Sequence, residues 1–196
     1  MNLQKLFQIQ KQLDDRIVKE HGLEGQDLLD KKILALQVEL GELANEQRSW
    51  KFWSHDQRPR GQDNYLEYRP VDQGGNHWIN KNPLLEEYVD GIHFFLSLAN
   101  DLKINPSDFV VEGDYTKETT TETFNEVFSL VSSIQVLMDV DVPATITMKD
   151  IQEVLHEAFS CYVGLAEKFL DFTWEQIEQA YLDKNKINHE RQATGY

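Results

Sequence analysis

The run ALQVELGELANEQRSWKFW, residues 35–53, reads as a helix with an apolar stripe and an acidic flank. Ile33, Leu36, Leu40 and Leu43 recur at three- and four-residue steps, the spacing that lines one face of an α-helix. Glu39, Glu42 and Glu46 flank that stripe. Residues three and four apart are neighbours on a helix surface, so Glu39 and Glu42 stand side by side. Like charges at that distance repel unless a cation lies between them. A hard divalent cation takes carboxylate oxygens and is one solution; a solvated acidic edge is the other. The pattern predicts a helix from near Asp27 to Trp53.

A second run, LLEEYVDGIHFFLSLANDL at residues 84–102, carries a second acid pair. Asn82 can cap its start, and Pro83 suits the first helical position, where its missing N–H costs nothing. At about 100° per residue, Leu85, Tyr88, Val89, Ile92, Phe95, Leu96, Ala99 and Leu102 fill one broad face. Glu87, Asp90, Gly91, Phe94 and Leu98 fall opposite. A purely solvated face has no need of Phe94 and Leu98, so this side reads as a pocket wall. Each of the two helices thus carries acids at i and i+3, Glu39/Glu42 on one and Glu87/Asp90 on the other.

The rest of the chain reads as more helix. Leu6, Ile9 or Gln10, Leu13 and Ile17 mark one from Leu3 to about Glu20, closed by His21-Gly22. Residues 54–82 read as a long loop or small excursion; Tyr65, Tyr68 and Trp78 argue for partial packing among Pro70 and Gly74-Gly75. The second acid helix ends before Asn105-Pro106. Phe124, Val127, Phe128, Val131, Ile134 and Leu137 mark a fourth helix, and Pro143 breaks the chain after it. Thr147 can cap a fifth. Thr173 with Gln176 forms a capping-box pattern that opens a sixth, reaching about Ile187. No segment shows strand alternation. The expectation is a single all-α domain over residues 1–196, an antiparallel bundle of about six helices with a loop or insertion at 54–82.

The net charge of −15 argues against nucleic acid or an anionic membrane as partner. It leaves room for a phosphate-bearing substrate, because a bound cation inverts the local field. The lone cysteine, Cys161, lies in an apolar helical pattern that suits a core position, and no internal disulfide can form. With no apolar run of spanning length and no signal-peptide pattern, a cytoplasmic location is expected.

The acid pairs admit three readings. One is a magnesium site that meets substrate phosphates. Another is a ferritin-like di-iron site, for which Glu153-x-x-His156 fits once and Asp90-x-x-His93 loosely. The third is an acidic helical interaction module without metal. The C-terminal run YLDKNKINHERQATGY, residues 181–196, favours the first. Lys184, Asn188 and Arg191 share a helical face there, and two cations beside an amide suit phosphates and a planar polar ligand.

Five ordered pieces together resemble the dimeric, all-α dUTPase family within the MazG-like nucleotide pyrophosphohydrolases. They are IQKQLDD at 9–15, Glu39-x-x-Glu42, Trp50-Lys51-Phe52-Trp53, Glu87-x-x-Asp90 followed by His93-Phe94, and Lys184-Asn185-x-x-Asn188-x-x-Arg191-Gln192-x-x-Gly195-Tyr196. The resemblance implies that Glu39, Glu42, Glu87 and Asp90 hold Mg²⁺ and form the catalytic centre. It implies that Gln10 and Asn188 read the uracil edge, with Asp14 nearby, and that Phe94 stacks on the base. Lys51, Lys184 and Arg191 would meet the phosphates, Trp50 or Trp53 would help close the pocket, and His93 would lie near the sugar. The implied reaction is hydrolysis of dUTP to dUMP and pyrophosphate by a metal-activated water, in a homodimer; parts of the family also cleave dUDP. A pyrophosphohydrolase for another nucleotide such as dCTP, or a non-catalytic helical module, are the alternatives. Asp14 stands where other branches often carry Asn, and 54–82 has no counterpart in the shortest members. The chain stops at Gly195-Tyr196, so closure over the phosphates is expected to use other groups or a partner subunit.

Overall fold

A computed structural model describes residues 3–61, 65–69, 77–139, 141 and 145–194. Among them run six helices: α1 (Leu3–Glu20), α2 (Leu29–Gln47), α3 (Pro83–Asp101), α4 (Thr120–Leu137), α5 (Met148–Phe169) and α6 (Trp174–Thr194). A short antiparallel ribbon, β1 (Leu66–Arg69) and β2 (His77–Asn80), sits between α2 and α3. The all-α expectation holds, with that ribbon as an addition.

The central element is α3. It packs against α1, α2, α5 and α6. A helix that is apolar on most sides belongs inside, and Tyr88, Val89, Ile92, Phe95, Leu96, Leu98 and Ala99 are all buried. Asn82 accepts from the Leu85 N–H at 3.1 Å and Pro83 opens the first turn, as the sequence predicts. The partner α2 runs antiparallel to it. The last turn of α2 pairs with the start of α3 through Glu46 and Arg60, whose carbonyl takes the Leu84 N–H. At the far end Lys32 meets Asp101 at 2.6 Å. Ile33, Leu36, Leu40 and Leu43 are buried, so the stripe read from the sequence is the packed face. Opposite the acids, α5 holds α3 by a reciprocal tyrosine pair. Tyr88 and Tyr162 stack at 4.5 Å, and each hydroxyl donates to the other's backbone carbonyl, at 3.3 and 2.8 Å.

Several expectations need correction. Gly91 and Leu98, read on the pocket side of the second acid helix, are buried in the core instead, Gly91 against Tyr162. The helix predicted to reach Trp53 ends at Gln47, because Arg48 turns left-handed at φ 70°. Side chains of the following turn fold back on the last carbonyls: Trp50 Nε1 donates at 2.8 Å to Ala44 O, which also takes the Arg48 N–H, and Lys51 Nζ donates to Asn45 O at 3.3 Å. Strands do exist in the 54–82 excursion, paired so that Tyr68 faces Trp78 across the ribbon with rings 5.4 Å apart. The sixth helix continues past Ile187 to Thr194. The fourth starts with a Thr119–Glu122 capping box that the periodicity did not mark. Thr147 caps α5 as predicted, and the Thr173–Gln176 bonds are present at the start of α6. Pro70, Gly74-Gly75, Pro143 and Gly195-Tyr196 lie outside the described residues. No described helix is long and apolar enough to cross a membrane.

Candidate active site

Antiparallel packing of α2 on α3 brings the two acid pairs together. One oxygen from each of Glu39, Glu42 and Glu87 lies within 4.8 Å of the others. The fourth acid, Asp90, is ion-paired with Lys184 of α6. Burial, with the charges of Asp90 and Glu42 beside it, pushes the Glu39 carboxyl up to about 7. Glu87 goes to about 8 for the same reasons, with the charge of Glu39 added to those of Asp90 and Glu42. Burial raises Asp90 too, against the opposing pull of Lys184. Three half-buried or clustered carboxylates with so little compensating charge form a donor set that fits a hard divalent cation.

Beside this cluster lies a cleft of about 250 Å³ between α1, α3 and α6. Of the side chains proposed from the sequence, Gln10, Asp14, His93, Phe94, Lys184, Asn188 and Arg191 line it, together with Glu39 and Asp90 of the acid cluster. Trp50, Lys51 and Trp53 do not. They form an aromatic knot after α2, with Trp50 and Trp53 edge to face at 5.3 Å and the Lys51 ammonium 5.5 Å from the Trp50 ring. Trp53 and Phe52 are exposed.

A buried polar network backs the cleft. Gln10 Nε2 donates to Asp14 at 2.8 Å, and the other Asp14 oxygen accepts from the Ser97 hydroxyl at 2.8 Å. Gln10 Oε1 accepts from the Tyr181 hydroxyl at 2.8 Å and lies 2.7 Å from His93 Nδ1. The His93 ring stacks on Tyr181, with centroids 3.9 Å apart. Burial and the Lys184 charge push His93 down to about 3, so its imidazole is neutral at pH 7. Burial raises Asp14, against Lys32 and the hydrogen bonds from Ser97 and Gln10.

Sequence reasoning missed Tyr181, Ser97 and Lys32. The signal was available for two of them, since Tyr181 lies one turn before Lys184 on its face and Ser97 one turn after His93. The di-iron pattern does not assemble. His156 Nε2 is 2.8 Å from the Val110 carbonyl, and Glu153 pairs with Lys149 on the same exposed turn. Cys161 is buried, its thiol meets Tyr115 O at 3.0 Å, and burial pushes it up to about 11, which leaves almost no thiolate at neutral pH.

A family model described as dUTPase matches residues 2–72 and 75–196, which takes in both acid pairs and the whole cleft. The chain belongs to the all-α dimeric dUTPase family. The family is one of dUTP diphosphatases, so the chain is placed among enzymes and the non-catalytic module is set aside. No curated protein matches the chain.

Proposed function

We propose that this member of the dUTPase family hydrolyses dUTP to dUMP and pyrophosphate with Mg²⁺ as its metal, and that it works as a homodimer. The observation that carries the reading is the adjacency of an acid cluster to a cleft walled by an aromatic ring and amides. Glu39, Glu42 and Glu87, with Asp90 once Lys184 has left it, would hold the ion. Bound there, it supplies charge neutralisation at the phosphates and activation of the attacking water.

The protein's own groups do the positioning. Phe94 lies one turn beyond Asp90, so a base stacked on it leaves its phosphates directed at the acids. Lys184, paired with Asp90, and Arg191, whose charge also acts on Asp90, line the cleft and offer cations to the phosphate oxygens. Gln10 and Asn188 present amides to the base edge. The Trp50–Trp53 knot lies after the last turn of α2 and reaches the pocket only by moving or from a partner subunit. The dimer is supported by the family and by the outer face of α2 and α4. Leu34, Val38 and Val136 are exposed there, beside the Gln37–Ser132 hydrogen bond that joins the two helices.

Phosphorus NMR of dUTP turnover, with Mg²⁺ or with chelator, tests the reaction. The expected products are dUMP and pyrophosphate, formed only with the metal. Orthophosphate as the first product contradicts the reading.

A further inference from the structure

The buried network behind the cleft contains an orientation problem and its solution. A glutamine amide has a donor end and an acceptor end of nearly equal shape, so alone it serves either kind of base edge. Gln10 is buried, with 4% of its surface exposed, and its amide is gripped from both sides. On one side stands Asp14 Oδ1, 2.8 Å from Nε2. An ionised carboxylate only accepts, so it tolerates the NH₂ end and repels the carbonyl end. The Ser97 hydroxyl on its other oxygen and Lys32 at 3.9 Å favour that form, against the burial that raises its carboxyl. On the other side the Tyr181 hydroxyl donates to Oε1 at 2.8 Å.

We propose that Asp14 and Tyr181 are the specificity-setting positioning residues of this site: together they lock the Gln10 amide so that it shows the base a hydrogen-bond donor. The inference rests on the nucleotide reading given above. Two consequences follow from the locked amide. One Nε2 hydrogen is used by Asp14, and the second is left for the ligand. The C4 carbonyl of uracil accepts it, whereas the C4 amine of cytosine opposes it with another donor. The second consequence concerns His93. Because Oε1 faces it as an acceptor at 2.7 Å, the imidazole hydrogen sits on Nδ1. His93 Nε2 then carries the lone pair; it is buried and makes no hydrogen bond in this geometry, although the Tyr181 backbone also acts on the ring. The Asp14 charge thus fixes the tautomer of a histidine it does not touch.

Tyr181 has a second task, since its ring stacks on His93. Tyr181→Phe removes the hydroxyl and keeps the ring. Asp14→Asn keeps the shape and lets the side chain donate as well as accept. The double variant frees the amide to turn over.

Two measurements separate the lock from the functional reading. Nitrogen-15 NMR of the imidazoles, with His93 assigned by loss of its signals in His93→Gln, needs no substrate. The parent protein should show His93 as a single Nδ1–H tautomer, and the double variant a mixture. An unchanged tautomer in a folded double variant overturns the lock whatever the substrate. The second measurement is kcat/KM for dUTP and dCTP. In the double variant the preference for dUTP over dCTP should fall roughly tenfold or more, with the loss on dUTP appearing more in KM than in kcat. A parallel loss on both nucleotides means that Asp14 and Tyr181 only support the fold. A parent protein with no preference for dUTP, but with the expected tautomer shift, overturns the functional reading and leaves the lock standing.

Discussion

At the scale of single residues, the acids carry the account. Glu42→Gln and Asp90→Asn keep size and remove one charge each from the cluster. Both should lower kcat by about a hundredfold or more, with melting temperature near that of the parent, because neither side chain is part of the apolar core. Activity within a few-fold of the parent in either variant removes the cluster from catalysis. A collapsed fold makes the acids structural. These four acids were legible from sequence because i, i+3 spacing on two amphipathic helices is a local pattern. The Asp90–Lys184 pair was not, since it joins positions 94 apart through the packing of α6 on α3. The fixed amide of Gln10 was hidden for the same reason. Its partners come from α1, α3 and α6, and only the folded chain brings His93 and Tyr181 to it.

At the scale of elements, α3 is positioned by what lies behind its acid face. Gly91 follows Asp90 and packs directly on Tyr162, and a Cβ there runs into the tyrosine hydroxyl and ring. Gly91→Ala should therefore cost about 1–3 kcal/mol of stability and lower turnover by shifting Asp90. Thermal melts and kcat of the single variant and of Gly91→Ala/Tyr162→Phe check this: part of the loss should return in the double variant. A single variant as stable and active as the parent contradicts the packing argument. The α2–α3 pair also makes stability depend on pH. Glu39 and Glu87 ionise near 4.5 when unfolded but near 7 and 8 in the fold. Between those values the native state binds more protons than the unfolded one, so the metal-free protein should lose stability as pH rises from about 4.5 to about 8. Metal competes with those protons, so its apparent affinity should weaken as pH falls through the same range, and binding near pH 7 should release protons. Melts at pH 5 to 8 in chelator and calorimetric titrations in buffers of different ionisation enthalpy read both effects. Glu87→Gln should flatten the first. Helix placement was legible wherever stripe and cap agreed, as in α3 and α5. It failed at Arg48, whose left-handed backbone ends α2, and in the ribbon, whose four-residue strands are too short for a period to emerge.

At the scale of the whole molecule, the acid cluster suits phosphate chemistry, and the amides of the adjoining cleft are proposed to choose the base. The outer face of α2 and α4 is the surface expected to pair two copies. Val38→Glu should turn a dimer into a monomer in light scattering, and a parent that is already monomeric removes the dimer. The sequence carried the family through five ordered motifs, and the fold accounts for their order by bringing pieces of α1, α2, α3 and α6 around one site. The motif at Trp50–Trp53 is the exception, since in this chain it stands outside the cleft. Hydrolysis of dUTP at this site, as proposed, is tested by kcat/KM for dUTP, dCTP and dTTP with Mg²⁺. A clear preference for dUTP is expected, over dCTP because Gln10 presents a donor and over dTTP because its base is larger by one methyl group. Comparable values for the three nucleotides would contradict it and make the enzyme a general nucleotide pyrophosphohydrolase.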